Sequence, residues 1–393
     1  MSDILINNIG RIVSGDLQQP FVDGDAVVIR QGRIAEVGYQ GQMSTSDIEQ
    51  VIDAGGCMLW PGLIDSHFHP VIGDFTPRQL ALDYIDSCLH GGVTSMISAG
   101  EVHIPGRPKE ATGLKALAIL AAKTFENARP AGVKVLGGGL ILAPDMTEAD
   151  FKEMAAAGVT HLGEIGLGSV NQWDQAAQMA AWAHQYKMKV MMHTGGASIP
   201  GSNVIGAEAV LTVKPDIASH LNGGPTALPL EEVERIIVES QAALEVVQCG
   251  NVAVIRDIVL MAQDHNALDR IIVGNDMPSG TGVIPLGVLR TLSWISSLAD
   301  LPPEQAIAMA TGNTARIYNF NRGRIVAGLE ADLVIADAPL GSRADTALDA
   351  LRIGDTPAVS AVLIDGQVKV YISRNTPPPK RKVTIPWMKA GGH

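Results

Sequence analysis

Cysteine is scarce in this chain: 393 residues hold only Cys57, Cys88 and Cys249, an odd number with no Cys-x-x-Cys spacing. A disulfide framework is thereby excluded, and reduced core thiols in a cytoplasmic protein are expected. Positive charge is also in deficit. The formal net charge is −12, which argues against the basic footprint of a nucleic-acid-binding surface. The chain opens Met-Ser-Asp-Ile-Leu-Ile-Asn-Asn, without a basic segment leading into an apolar run, so no secretory signal is expected. No membrane span is expected either, because the most apolar region, 114–142, is broken by Lys115, Lys123, Glu126, Arg129 and Lys134. No internal repeat or low-complexity segment stands out. Residues 374–393, with Pro377-Pro-Pro379 and the basic run Lys380-Arg-Lys382, read as a tail whose charges face solvent or another subunit.

What is present suits a large folded chain: 46% of residues are hydrophobic and 18% charged, enough for one big domain and a smaller one. Residues 1–57 carry short apolar runs, Ile4-Leu-Ile6, Ala26-Val-Val-Ile29 and Arg33-Ile-Ala-Glu-Val37, separated by turn signals such as Asp23-Gly24 and Gln31-Gly32. The same texture returns over 319–373, where Asp365-Gly366 marks a hairpin turn. Each segment alone has too few strands to be stable, so one β-sandwich built from both chain ends is expected.

Between them, apolar runs alternate with amphipathic stretches. Strands are predicted at 58–65, 93–99, 133–143, 160–166, 189–193, 217–221, 244–248 and 270–275. Helices are predicted at 109–127, 147–157, 171–186, 204–213, 230–242, 252–265 and 286–298, with room for another near 77–89. Thr147 and Asp150 have the spacing of a capping box. Eight strands each followed by a helix are what an α/β fold of the (β/α)8 TIM-barrel type requires, here over 58–318.

In such a barrel the chemistry sits where strands end. The first strand delivers His67 and His69, whose i, i+2 spacing on a strand points both rings to one face. Ligand-type residues also end the fourth strand (Glu164), the fifth (His193), the sixth (His220) and the eighth (Asp276). Four imidazoles and two carboxylates at one end of a barrel can hold two divalent cations. His161 stands an odd number of residues before Glu164 and is expected to face the other side of its strand. His90, His103, His184 and His265 have no comparable placement, although His103 could reach the mouth from the loop after the second strand.

Pro61-Gly-Leu-Ile-Asp-Ser-His-Phe-His69, the histidines of the fifth and sixth strands, Asp276, the flanking sandwich, Asn313-Thr-Ala-Arg316 and Gly328-Leu-Glu-Ala-Asp-Leu-Val334 together resemble the amidohydrolase superfamily along essentially the whole chain. The resemblance implies a metal-dependent hydrolase. His67, His69 and Asp276 would hold one ion and His193 and His220 the other. Many dinuclear members bridge their ions with a carboxylated lysine on the fourth strand. No lysine lies between Thr160 and Val170, so Glu164 takes that role. The branch it is most similar to opens a cyclic enamide, 6-oxo-1,4,5,6-tetrahydronicotinate, to 2-formylglutarate and ammonia, using Zn2+ and Fe2+ in a homotetramer, with Asp276 carrying the proton. A carboxylated cyclic amide needs a donor near the mouth, for which Arg107 and Lys109 are the cations and Thr194, Asn222 and Ser279 the neutral candidates. The alternatives are a deaminase or an isoaspartyl-type peptidase of the same architecture, or a metal-free scaffold relative.

Overall fold

The computed structural model describes residues 2–70, 81–101, 104, 106–166, 170–197, 203–224, 226–279 and 282–388. His103 and His393 lie outside the described residues. Eight parallel strands among the described residues form the centre: β1 (Leu63–Phe68), β2 (Val93–Ser98), β3 (Lys134–Leu136), β4 (His161–Ile165), β5 (Lys189–His193), β6 (Ile217–Ser219), β7 (Ala243–Val247) and β8 (Ile271–Gly274). They pair as a run of three and a run of five. Parallel bridges from Leu140 to Leu162 and from Phe68 to Met277 join the runs at both ends, which closes the barrel. A helix follows each strand, from Ala81–Leu89 to Gly287–Leu298. The capping box forms as its spacing predicts, with the Thr147 backbone N–H and hydroxyl both donating to Asp150, at 2.7 and 2.8 Å.

The strand predicted over 58–65 is two strands. Met58–Pro61 runs antiparallel to Leu333–Asp337 in a sheet outside the barrel, and only after Gly62 does the chain enter β1. The step needs glycine, because a Cβ at residue 62 would stand 2.1 Å from the Thr94 hydroxyl. Nothing in an apolar run marks where it changes partner. The outer sheet has six strands, of which Arg11–Val13, Phe21–Val22 and Met58–Pro61 precede the barrel and Leu333–Asp337, Ala358–Ile364 and Gln367–Tyr371 follow it. A second sheet of four strands comes from residues 4–53. Ile6, Ile12, Val27, Ile52, Leu59, Leu333, Ile335 and Leu363 share one core cluster, so residues from both chain ends bury one another's apolar faces.

Inside the barrel, Ile64, Ile97, Met191, Ile217, Ala243 and Ile272 form one apolar cluster with Ala315 and Tyr318 of the helix Gly312–Tyr318. Filling the interior with side chains in this way leaves the chemistry to the strand ends above.

A charged knot ties β3 to the outer sheet. Lys134 is 6% exposed, and its ammonium lies 2.8 Å from Asp332, 2.7 Å from Glu330 and 2.7 Å from Asp365. Burial holds the Asp332 carboxyl above its usual range even though Lys134 pulls it down. Lys134→Met removes the cation and leaves Asp332 buried and charged. Its expected cost is about 3–5 kcal/mol, read from denaturant unfolding at neutral pH. Asp332 can take up a proton in acid, so the cost should shrink as pH falls. An unfolding midpoint unchanged by the substitution would contradict this role.

Candidate metal centre

Local irregularities aim the side chains. Alternation breaks between Asp65 and Phe68 in β1 and between Leu162 and Ile165 in β4. Bulges of this kind re-aim side chains beside active sites. They sit where His67 and Glu164 leave their strands. Strand parity therefore fails as a guide to His161 and Glu164, and His161 is accounted for by a different contact. It is buried, its Nε2 donates to the Ser98 carbonyl at 2.7 Å, and burial lowers its pKa to about 4. His220 and Asp276 follow β6 and β8 in left-handed backbone, at φ 36° and 56°, a conformation that non-glycine residues hold only when their surroundings impose it. Gly274 makes room next to them, since a Cβ there would be 2.7 Å from that of His67.

The six residues converge. His67, His69, Glu164, His193 and His220 are buried and Asp276 is 9% exposed. Three overlapping groups drawn from them place their donor atoms within 4.8 Å of one another: His67, His69 and Glu164; His67, His220 and Asp276; and Glu164, His193 and His220. The Glu164 carboxylate is divided between two sides. Its Oε2 is 3.6 and 3.7 Å from Nε2 of His67 and His69, and its Oε1 is 3.3 Å from Nδ1 of His193 and 2.6 Å from Nε2 of His220. Asp276 Oδ1 completes the first side at 3.5 and 3.2 Å from the same two Nε2 atoms.

Hydrogen bonds behind the rings settle which atoms face inward. His67 Nδ1 meets Glu245 Oε2 at 2.7 Å and His69 Nδ1 meets the Gly100 carbonyl at 3.1 Å. With both Nδ1–H groups donating, the two Nε2 atoms face each other at 3.3 Å, together with one oxygen each of Glu164 and Asp276. Two imidazole nitrogens and two carboxylate oxygens, once His67 gives up its Nε2 proton, are a cage for a cation, and ligands about 2.0–2.2 Å from a tetrahedral ion stand about 3.3–3.6 Å apart. The donor set thus fits a divalent metal. On the second side, the 2.6 Å contact between His220 and Glu164 is a hydrogen-bond length, shorter than two ligands of one ion would keep.

Charge follows the same geometry. Burial pulls the His67 pKa down, but Glu245, Glu164 and Asp276 outweigh it and hold it well above the usual value. Burial pushes Glu164 and Asp276 up, and the imidazoles, His67 foremost, bring both below the normal carboxylate range. His193 is lowered by burial and by His220. Carboxylates are kept charged here at depth.

Glu245 was not among the sequence candidates. It is fully buried on β7, takes the Ser66 hydroxyl at 2.5 Å as well as His67, and accepts from the His220 backbone at 3.3 Å. A glutamate in the middle of Ala243-Leu-Glu-Val-Val247 was the available signal, because a buried strand does not keep an unpaired charge. Outer carboxylates of this kind orient ligating histidines. Cys249, read as a core thiol, is half-buried with Sγ 2.9 Å from Asp276 Oδ2.

Two sequence candidates for substrate contact spend their polar atoms on the frame. Thr194 is buried and donates to the Ser219 carbonyl at 2.7 Å. Asn222, also buried, donates to the Val247 carbonyl at 2.8 Å and accepts from its N–H at 2.9 Å, pairing with β7 as a strand residue would. Arg107 differs: it is half-buried, its Nη1 has no hydrogen-bond partner among the described residues, and burial alone lowers its pKa. Lys109 is exposed. A cavity of about 560 Å3 near Lys189, Asp216 and Arg270 opens at the N-terminal ends of the strands, opposite to the cluster.

No helix among the described residues is long and apolar enough to cross a membrane. The chain is 51% identical to an enamidase from Eubacterium barkeri, over 98% of this chain and all of that protein. An enamidase crystal structure superposes with a TM-score of 0.95 at 51% identity, covering 98% of this chain and 100% of the other. An adenine deaminase from a Ruegeria species is 26% identical over 80% of this chain and 51% of its own. A β-aspartyl dipeptidase structure from Fervidobacterium islandicum shares the fold, with a TM-score of 0.62 at 18% identity over 94% of this chain and 97% of that one. The amidohydrolase family model matches residues 58–369, the span that begins with the approach to the His67 and His69 strand and ends in the outer sheet, and the chain belongs to that family.

Proposed function

We propose that this protein hydrolyses the C–N bond of a cyclic enamide, converting 6-oxo-1,4,5,6-tetrahydronicotinate to 2-formylglutarate and ammonia, as part of nicotinate degradation. The observation that carries the reading is identity of 51% to an enamidase over 98% of this chain and all of that one. His67, His69 and Asp276 would hold one divalent cation and His193 and His220 a second, with Glu164 between them. Bound there, such ions, Zn2+ and Fe2+ in this reading, supply Lewis-acid polarisation of the amide carbonyl and a more acidic water.

The rest falls to the protein. Glu245 and Gly100 fix the rings of His67 and His69, so no reorganisation is needed when charge builds up. Asp276 Oδ2, the oxygen that is not in contact with His69, is the one that takes the proton of the attacking water and hands it to the leaving nitrogen. Cleavage of the amide bond gives a carboxylate and an enamine. The enamine tautomerises to an imine, and a second water releases the aldehyde and ammonia. The enzyme works, in this reading, as a cytoplasmic homotetramer on a small carboxylated molecule.

Incubating the purified, metal-analysed protein with the cyclic enamide tests this: aldehyde and ammonia should appear in equal amounts. Ammonia from adenine, or cleavage of a β-aspartyl dipeptide, with the enamide left intact would overturn it.

Arg107, on the loop after β2, supplies the charge that a substrate carboxylate needs. A half-buried guanidinium whose Nη1 finds no partner among the described residues is costly unless a ligand completes it. Arg107→Gln is expected to raise KM by about 10–100-fold, the worth of a charged hydrogen bond of about 1.5–3 kcal/mol, and to leave kcat nearly unchanged. Loss of kcat at unchanged KM would place Arg107 elsewhere.

A further inference from the structure

We propose that Cys249 is a positioning residue for Asp276: its thiol holds one carboxylate oxygen so that the other faces the imidazoles of His67 and His69. This rests on the metal-dependent reading of the site given above. Asp276 is anchored on its backbone, whose N–H donates to the His67 carbonyl at 2.8 Å, but a carboxylate can still rotate about its last bond and exchange its oxygens. Here the two oxygens have separate tasks. Oδ1 is 3.2 Å from His69 Nε2 and Oδ2 is 2.9 Å from Cys249 Sγ. The thiol contact keeps Oδ2 from joining Oδ1 at the cage and leaves it as the proton acceptor.

Cys249 is well placed to do this. The backbone N–H groups of Gln248 and Cys249 donate to the carbonyls of Gly274 and Asn275 at 3.0 and 3.4 Å, so the turn after β7 is fastened to the segment that carries Asp276. Asp276 itself sits at φ 56°, a backbone state that the surroundings must enforce. At 2.9 Å from a carboxylate oxygen the sulfur is within hydrogen-bond reach, and in that contact the thiol S–H donates to Oδ2. A thiol is a weak donor, so it orients Oδ2 without suppressing its capacity to accept a proton. Cys57 and Cys88 are buried elsewhere and have no such neighbour among the ligand-type residues.

The test compares Cys249→Ala with Cys249→Ser, which keeps a donor. In the metal-replete enzyme, Cys249→Ala should lower kcat about tenfold with KM within about twofold, and Cys249→Ser should recover most of it. Independently of any substrate, Cys249→Ala should give up one metal ion per chain to a competing chelator at about tenfold lower chelator concentration, while Cys249→Ser follows the parent. If Cys249→Ala stays within twofold on both measures, or if Cys249→Ser is as impaired as Cys249→Ala, the thiol does not position Asp276. If the parent chain binds no metal, the metal centre falls together with this inference, whereas failure to turn over the enamide alone leaves the chelator result to decide.

Discussion

Asp276→Asn is expected to lower kcat by about 10³-fold while KM changes little. The amide has the same shape and can still present an oxygen toward His69, so the site should assemble. What it loses is the oxygen that, in the proposed mechanism, receives the proton. Its nitrogen cannot accept, and without a general base the attacking water must lose its proton to solvent. The wild-type carboxylate is suited to the task because burial, which favours the neutral acid, is outweighed by His67 and its neighbours, so it stands ready in the charged form. Steady-state kinetics on enzyme with its metal content verified decide the matter. A variant retaining more than a tenth of the parent kcat would move the proton-carrying role to another group.

How much of this was legible beforehand depends on how far each property reaches along the chain. His67 and His69 could be found because a strand places i and i+2 on one side, a rule that needs only three residues. The eight strand and helix pairs follow from periodicity within windows of comparable size, and the capping box at Thr147 from four residues. The change of sheet at Pro61 and Gly62 was not legible, because it is set by Leu333–Asp337, which arrive some 270 residues later. The bulges in β1 and β4 were hidden for a similar reason: register is decided by the neighbouring strand, so strict alternation gives no guide from His161 to Glu164. Asn222 looked like a substrate donor at a strand end, yet its amide is taken by Val247, 25 residues on. Glu245 and Cys249 gain their meaning from His67 and Asp276, which only the closed barrel brings beside them.

Glu164→Gln should produce the largest loss, in metal content as well as in rate. The carboxylate serves two sides at once, Oε2 toward His67 and His69 and Oε1 toward His193 and His220. Glutamine has one oxygen, so its amide group must turn N–H donors toward one pair of imidazoles. Turned toward His67 and His69, whose Nε2 atoms the hydrogen bonds behind the rings direct inward, an N–H would fill the space that a cation would use. Metal per chain is expected to fall from two to one or fewer, and kcat by at least about 10³-fold, well beyond the 10–100-fold typical of residues that only orient a ligand. Glu164→Asp keeps both oxygens on a stem one methylene shorter and should fall between the parent and the glutamine variant. Metal analysis after dialysis, with kcat measured on the same samples, separates the outcomes. Two firmly held ions in Glu164→Gln would show that the divided carboxylate is not the bridge, and the two sides of the site would then be independent.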